Sequence, residues 1–115
     1  MKNKSFVIKP WGNFTQYTLN TPSTVKIILV EKGQSTSLQF HKHRDEFWKV
    51  LKGEAILTIG NEIHQAKVGE EFFITAETIH RIEAGNTDVE LLEISFGTFD
   101  EEDITRLKDN YGRIS

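Results

Sequence analysis

Hydrophobic and polar positions along the chain fall into short segments punctuated by glycine: residues 25–30, 37–41, 46–51, 55–59, 62–66, 71–75, 80–83 and 89–96. Runs of this length, rich in β-branched and aromatic residues and bounded by turn formers, predict β-strands. Strands so closely spaced predict an all-β sandwich or barrel. Within "TIGNEI", Gly60 and Asn61 alone separate two runs, the signature of a two-residue hairpin loop whose positive-φ positions suit Gly and Asn. One segment reads differently. Asp100 stands as an N-cap before "EEDITRLK", with acids in the first turn and basic residues later, so a short C-terminal helix is expected there. No internal repeat, low-complexity tract or linker interrupts the pattern, and residues 1–115 read as one domain.

Composition narrows the function classes. With 37% apolar and 27% charged residues and a net charge of −3, the chain is an ordinary globular one whose Lys and Arg form no basic stripe, so nucleic acid is not an expected partner. No apolar run reaches the roughly 20 residues of a membrane span. The N-terminal "MKNKSFVIKPWG" has no apolar core or cleavage site of an export signal, so the cytoplasm is the expected location. There is no cysteine, which restricts any metal site to nitrogen and oxygen donors.

The chemistry concentrates in "QFHKHRDEFW", residues 39–48. On a strand alternate side chains share a face, so Gln39 and His41 point together, and Glu46 arrives at the start of the next strand. His80 opens a later strand that a barrel can fold back against them. Gln39, His41, Glu46 and His80 make a mixed N/O set suited to Zn²⁺, Mn²⁺, Co²⁺ or Ni²⁺. A single H-x-H pair also suits a solvated turn. His43 would share the face of His41 if the strand continues, as a further ligand, as a partner of a ligand, or else as an exposed turn residue. His64, alone in "EIHQAK", is expected to face solvent.

A longer pattern supports the metal reading. Gly33, Gln39, His41, Glu46 and Gly53 are spaced as in the first motif of the cupins, and Gly69 and His80 as in the second, with Thr75 and Glu77 where Pro and Gly are usual. The chain resembles a cupin, which implies a jelly-roll barrel, a double-stranded β-helix, with a metal inside. Gln in place of the first His resembles the phosphomannose isomerases. "KPWG" at 9–12, "SLQFHKHRDEFW" at 37–48, "IHRIEAG" at 79–85 and "DITRLKDNYGR" at 103–113 are similar to the C-terminal isomerase domain of the type II phosphomannose isomerase/mannose-1-phosphate guanylyltransferases. The guanylyltransferase part has no counterpart in these residues.

The resemblance implies a metal-dependent isomerase interconverting mannose 6-phosphate and fructose 6-phosphate in activated-sugar or polysaccharide biosynthesis, with Zn²⁺ the first choice of ion. It implies that Gln39, His41, Glu46 and His80 are the ligands and that Arg44 acts in isomerisation, against the alternative of a surface salt bridge to Asp45 or Glu46. Lys26, Arg81 and Arg113 match charged positions that can receive a phosphate, and Trp48 can wall the cavity. His43 and Lys26 are candidates for the general base. Phe47 stands where the family usually has His, which leaves open a non-catalytic sugar-binding or regulatory cupin; an isomerase or epimerase of another sugar phosphate or nucleotide sugar is a further alternative. The apolar N-terminal "FVIKPWGNFTQYTL" adds the expectation of a homodimer.

Overall fold

A computed structural model describes residues 4–113 as eleven strands joined by turns. They are β1 (Ser5–Lys9), β2 (Gly12–Gln16), β3 (Ser23–Val30), β4 (Leu38–Phe40), β5 (Asp45–Lys52), β6 (Ala55–Ile59), β7 (Glu62–Ala66), β8 (Glu71–Ile74), β9 (His80–Ala84), β10 (Val89–Phe96) and β11 (Thr105–Lys108). Two antiparallel sheets, in the orders β3-β10-β5-β8 and β11-β4-β9-β6-β7, face each other across the core. No helix is present among the described residues, so none is long and apolar enough to cross a membrane.

The topology is one long hairpin wound into a barrel. Its tip is the β6–β7 loop, where Gly60 takes φ 60° and Asn61 no positive value, the sign pattern of a II′ turn. Outward from the tip each strand pairs with its mirror: β6 with β7, β5 with β8, β4 with β9, and β3 with β10. This pairing places residues 39 and 80 directly opposite each other, Gln39 against His80. Two motifs far apart in sequence therefore meet because of the winding.

Alternation fixes what faces inward. Trp48 and Val50 of β5, Leu57 of β6, Ile82 and Ala84 of β9, and Val89 and Leu91 of β10 fill the core. The same parity continues into polar residues at the other end of the barrel. There β5 turns Glu46 inward, β9 turns His80, and β10 turns Glu93 and Ser95, all buried. Antiparallel registers put Ser95 beside Glu46 and Ile59 beside His80, so the polar positions of both sheets gather at one end.

The helix predicted after Asp100 does not form. Asp100 does cap, its Oδ1 accepting the Glu102 N–H at 3.0 Å and its carbonyl the Asp103 N–H at 3.0 Å, but the chain turns once and then runs as β11 along β4. Backbone pairing with an open sheet edge outweighs the local helical signal. The N-terminal segment is also β: β1 and β2 pair only with each other, leaving Phe6, Ile8 and Trp11 exposed. His64 is half-buried, its ring 5.1 Å from that of Phe72, and does not stand free in solvent.

Candidate metal centre

His41, Glu46 and His80 bring one donor atom each within 4.8 Å of one another, and none is more than 3% exposed. Both imidazoles are held as ligands must be. His41 Nδ1–H donates to the Asp103 carbonyl at 2.7 Å and His80 Nδ1–H to the Thr78 carbonyl at 2.9 Å, which leaves each Nε2 lone pair pointing inward. Burial lowers the pKa of both rings, against the pull of Glu46 and of those carbonyls, so the neutral form prevails. The ring centroids are 4.9 Å apart, and the Trp48 indole packs edge-on to His80 at 5.4 Å as a wall of the site.

Half of the inward lone pairs have a partner. Arg44 donates from Nε to Glu46 Oε2 at 3.1 Å and from an Nη to His41 Nε2 at 3.2 Å. The other half, Glu46 Oε1 and His80 Nε2, are buried 3.7 Å apart with no hydrogen-bond partner. Two unscreened acceptors facing each other are unfavourable. A cation between them resolves the conflict: ligand atoms held about 2.0–2.2 Å from one tetrahedral ion stand about 3.3–3.6 Å apart. The His/Glu/His group is thus able to bind a metal ion, and its chemistry, two neutral imidazoles and a carboxylate, fits a divalent one.

Gln39 lies on the same inner face. Its amide nitrogen is 3.4 Å from His41 Nε2, while Ser37 Oγ donates to its Oε1. Turning the amide over exchanges those roles and presents oxygen to the site, with Ser37 then accepting.

The remaining candidates separate. Arg44 is buried, donates also to the Asp100 carbonyl at 3.1 Å and stacks over Phe99 at 4.4 Å; it is no surface residue. Lys26 points inward from β3 beside Glu93, reaches Glu101 at 3.4 Å and lies over the Phe99 ring. The strand that would have carried His43 on the face of His41 ends at Phe40, so His43 stands exposed in the turn. Arg81 follows His80 on the opposite face and donates to the carbonyls of Thr36 and Lys108. Arg113 is exposed, paired with Asp109 at 2.8 Å, on the rim of a cavity that reaches Gln39.

Sequence reasoning passed over two residues here. Asp103 accepts the backbone N–H groups of Lys42 at 2.8 Å and His43 at 2.9 Å, clamping the turn that carries His41. Glu93 is a buried carboxyl whose pKa is pushed up to about 7, first by burial and then by the charge of Glu46, against Lys26, Arg44 and Ser95. No clear signal marked it in the sequence: in residues 89–96 the parity of Glu93 carries Val89, Leu91 and Ser95, and the other parity carries Leu92, Ile94 and Phe96.

Relatives include the mannose-1-phosphate guanylyltransferase ManC of Salmonella typhimurium, 34% identical over 94% of this chain and 23% of its own length. The alginate biosynthesis protein AlgA of Pseudomonas putida is 34% identical over 99% of this chain and 24% of its own. The xanthan biosynthesis protein XanB of Xanthomonas campestris is 36% identical over 93% and 23%. The chain spans about a quarter of the length of these relatives. Among solved structures, a cupin 2 conserved barrel domain protein from Rhodopseudomonas palustris has a TM-score of 0.65 at 18% identity, covering 76% of this chain and 65% of its own. The capsular polysaccharide assembling protein CapF from Staphylococcus aureus has 0.64 at 20%, covering 91% and 34%. Residues 1–109 match the family described as mannose-6-phosphate isomerase C-terminal. Matched over nearly its whole length and folded as a cupin barrel, the chain belongs to that mannose-6-phosphate isomerase C-terminal family.

Proposed function

We propose that the chain is a metal-dependent aldose–ketose isomerase whose substrates are mannose 6-phosphate and fructose 6-phosphate. The observation that carries this reading is the pair of buried, unpartnered acceptors, Glu46 Oε1 and His80 Nε2, within the family's motif. Gln39, His41, Glu46 and His80 would hold the ion, Zn²⁺ first and Mn²⁺, Co²⁺ or Ni²⁺ as alternatives. Once bound, it supplies Lewis acidity toward the sugar's carbonyl oxygen.

The chain's own residues do the rest. Isomerisation carries a proton between C2 and C1 through a cis-enediol, which needs a group that gains and loses a proton near neutrality. Glu93 is a candidate for that group, a carboxyl buried on the inner face of β10 with Lys26 opposite it. Lys26, beside it in the strand register, remains a candidate; His43 lies outside the site. Arg44 presents a planar fork at the centre of the site, suited to orienting a sugar oxygen.

The rival reading, a sugar-binding protein without turnover, leaned on Phe47. That residue points out of the barrel, buried against Tyr17 at 5.2 Å, away from His41 and His80. Its departure from the family residue does not touch the metal group. A coupled isomerase assay with Zn²⁺, Mn²⁺ and Co²⁺, alongside elemental analysis, is the test. Turnover supports the isomerase; a protein that binds ions but converts nothing is the binding module. A protein that refuses every ion, or keeps its ion after His41→Ala and Glu46→Ala, overturns the metal assignment itself.

A second copy of the chain is the proposed partner. Phe6, Ile8 and Trp11 of the hairpin and Val25, Ile27 and Leu29 of the edge strand β3 leave apolar side chains exposed on elements with free edges. Sedimentation giving one species at 13.2 kDa would refute a dimer.

A further inference from the structure

A cavity of about 510 Å³ opens beside the metal centre, with Gln39 common to both. Ser35, Ser37, Arg106, Tyr111 and Arg113 also line it, two cations against one carboxylate, Glu31. We infer that this cavity receives the phosphoryl group of a phosphorylated substrate, with Arg106 as its anchor. The inference rests on the isomerase reading for the substrate class, though not for the anion site.

Strand register gives the geometry. Arg106 of β11 is directly opposite Gln39 of β4, which is directly opposite His80 of β9. Residues opposite one another share a face, so all three turn inward. Strands about 4.8 Å apart place Arg106 about 10 Å from His80, a span that a six-carbon chain with a phosphate at its far end can cover.

The state of Arg106 supplies the second observation. Its Nε is buried with no hydrogen-bond partner. Arg44, Arg81 and Arg113 all have partners: a carboxylate, an imidazole and one carbonyl for the first, two carbonyls for the second, a carboxylate for the third. A guanidinium fork left unpaired beside an open cavity is matched by an acceptor with several oxygens, as a phosphomonoester has. The Ser35 hydroxyl, which accepts from Asn110, keeps its hydrogen as a neutral donor. Tail residues hold the rim: Asn110 donates to Ser35 at 2.9 Å and the Tyr111 hydroxyl donates to Gln34. Arg113, the sequence candidate for phosphate, stands on that rim with its guanidinium already on Asp109. Arg106 was hidden by the expected helix, which would not have set it across from Gln39.

Titration calorimetry with inorganic phosphate and Zn²⁺ tests the inference on the full chain, independent of turnover. Wild type should bind phosphate in the millimolar range. Arg106→Ala should weaken it at least tenfold while Zn²⁺ affinity stays within twofold, which also certifies the fold. Arg106→Lys should recover part of the loss. In the isomerase assay Arg106→Ala should raise KM for mannose 6-phosphate by at least tenfold with a smaller change in kcat. If wild type converts nothing, the isomerase reading fails while phosphate binding still decides the anion site. Wild type that ignores 50 mM phosphate, or Arg106→Ala that binds it unchanged, overturns the inference.

Discussion

Asp103→Ala separates the clamp on the metal-bearing turn from the metal centre itself. The substitution leaves the Asp103 backbone carbonyl, which accepts His41 Nδ1–H, and removes only the carboxylate that holds the N–H groups of Lys42 and His43. Hydrogen bonds to a charged group reach about 1.5–3 kcal/mol each when buried. Lys42 and His43 are exposed, so water replaces part of the loss, and the better guide is an Asp cap, about 1 kcal/mol per bond. The expected cost is about 2 kcal/mol, or about 8 °C in Tm, with Asp103→Asn losing about half because one acceptor survives. Burial raises the carboxyl's pKa, but the two N–H groups and the nearby histidines outweigh it and hold it below its ordinary 3.8. A depressed carboxyl stabilises the fold above its unfolded pKa and loses that contribution as pH falls through the lower folded value, so the variant should show a shallower loss of stability below about pH 3.8. Zn²⁺ affinity should drop about tenfold, as for other residues that orient a ligand. Urea denaturation at pH 7 and pH 3, with Zn²⁺ titration, is the assay. A change within 0.5 kcal/mol and unaltered Zn²⁺ affinity would mean that β4 and β5 hold the turn unaided.

Glu93→Gln should flatten the pH dependence of metal-free stability: with a pKa raised from 4.5 to about 7, the native carboxyl keeps a proton that the unfolded chain releases, so wild-type stability falls as pH rises across that window. The full effect is about 3 kcal/mol, read from urea curves with chelator at pH 4.5 and 8; parallel curves for both proteins would contradict it. Gly53→Ala should cost at least about 2 kcal/mol, because Gly53 has φ 77° and an added Cβ would lie 2.1 Å from the Asp88 carbonyl oxygen; an unchanged Tm would show that the loop yields freely. Glu77→Gly should stabilise by about 1 kcal/mol, since Glu77 is exposed at φ 70°, and a lower Tm would place the greater weight on unfolded-chain entropy. Arg44→Ala should abolish isomerisation while the ion stays bound, and Arg44→Lys should rescue little; wild-type turnover in either variant would remove Arg44 from substrate handling.

The eight strands β3 to β10 were legible as short runs rich in β-branched and aromatic residues between turn formers, with burial alternating clearly in β3 and β9. The hairpin β1–β2 was not, since most of its side chains on both faces are exposed and no period results. β11 was misread for a different reason. The signal at Asp100 was genuine and is used, but for a single turn, while the open edge of β4 recruited Thr105 to Lys108. Mistaking that strand for a helix concealed Arg106. At 77 the chain lacks the glycine usual in the second motif, yet Glu77 adopts the glycine-like φ and its N–H reaches the His41 carbonyl at 2.6 Å. Geometry there follows from the winding and not from local preference, which is why motif spacing survived a poor turn sequence.

The two ends of the barrel obey different constraints. At the apolar end Val50, Leu57 and Leu91 repay burial directly, so truncating them sacrifices packing and stability together. At the polar end the fold encloses Glu46, Glu93, two imidazoles and Arg44, and leaves Glu46 Oε1, His80 Nε2, Trp48 Nε1 and Arg106 Nε without partners. Unpaired acceptors and donors in one interior make the metal-free protein less stable than an apolar filling would. They are also complementary to ligands of opposite kinds: the acceptors to a cation, the donor at Arg106 to an anion. The two sets lie about two strands apart, so a cation and an anion can bind at this end without competing for the same side chains. The stability forgone at this end is therefore recoverable on binding, and Zn²⁺ with phosphate should raise Tm by more than either alone.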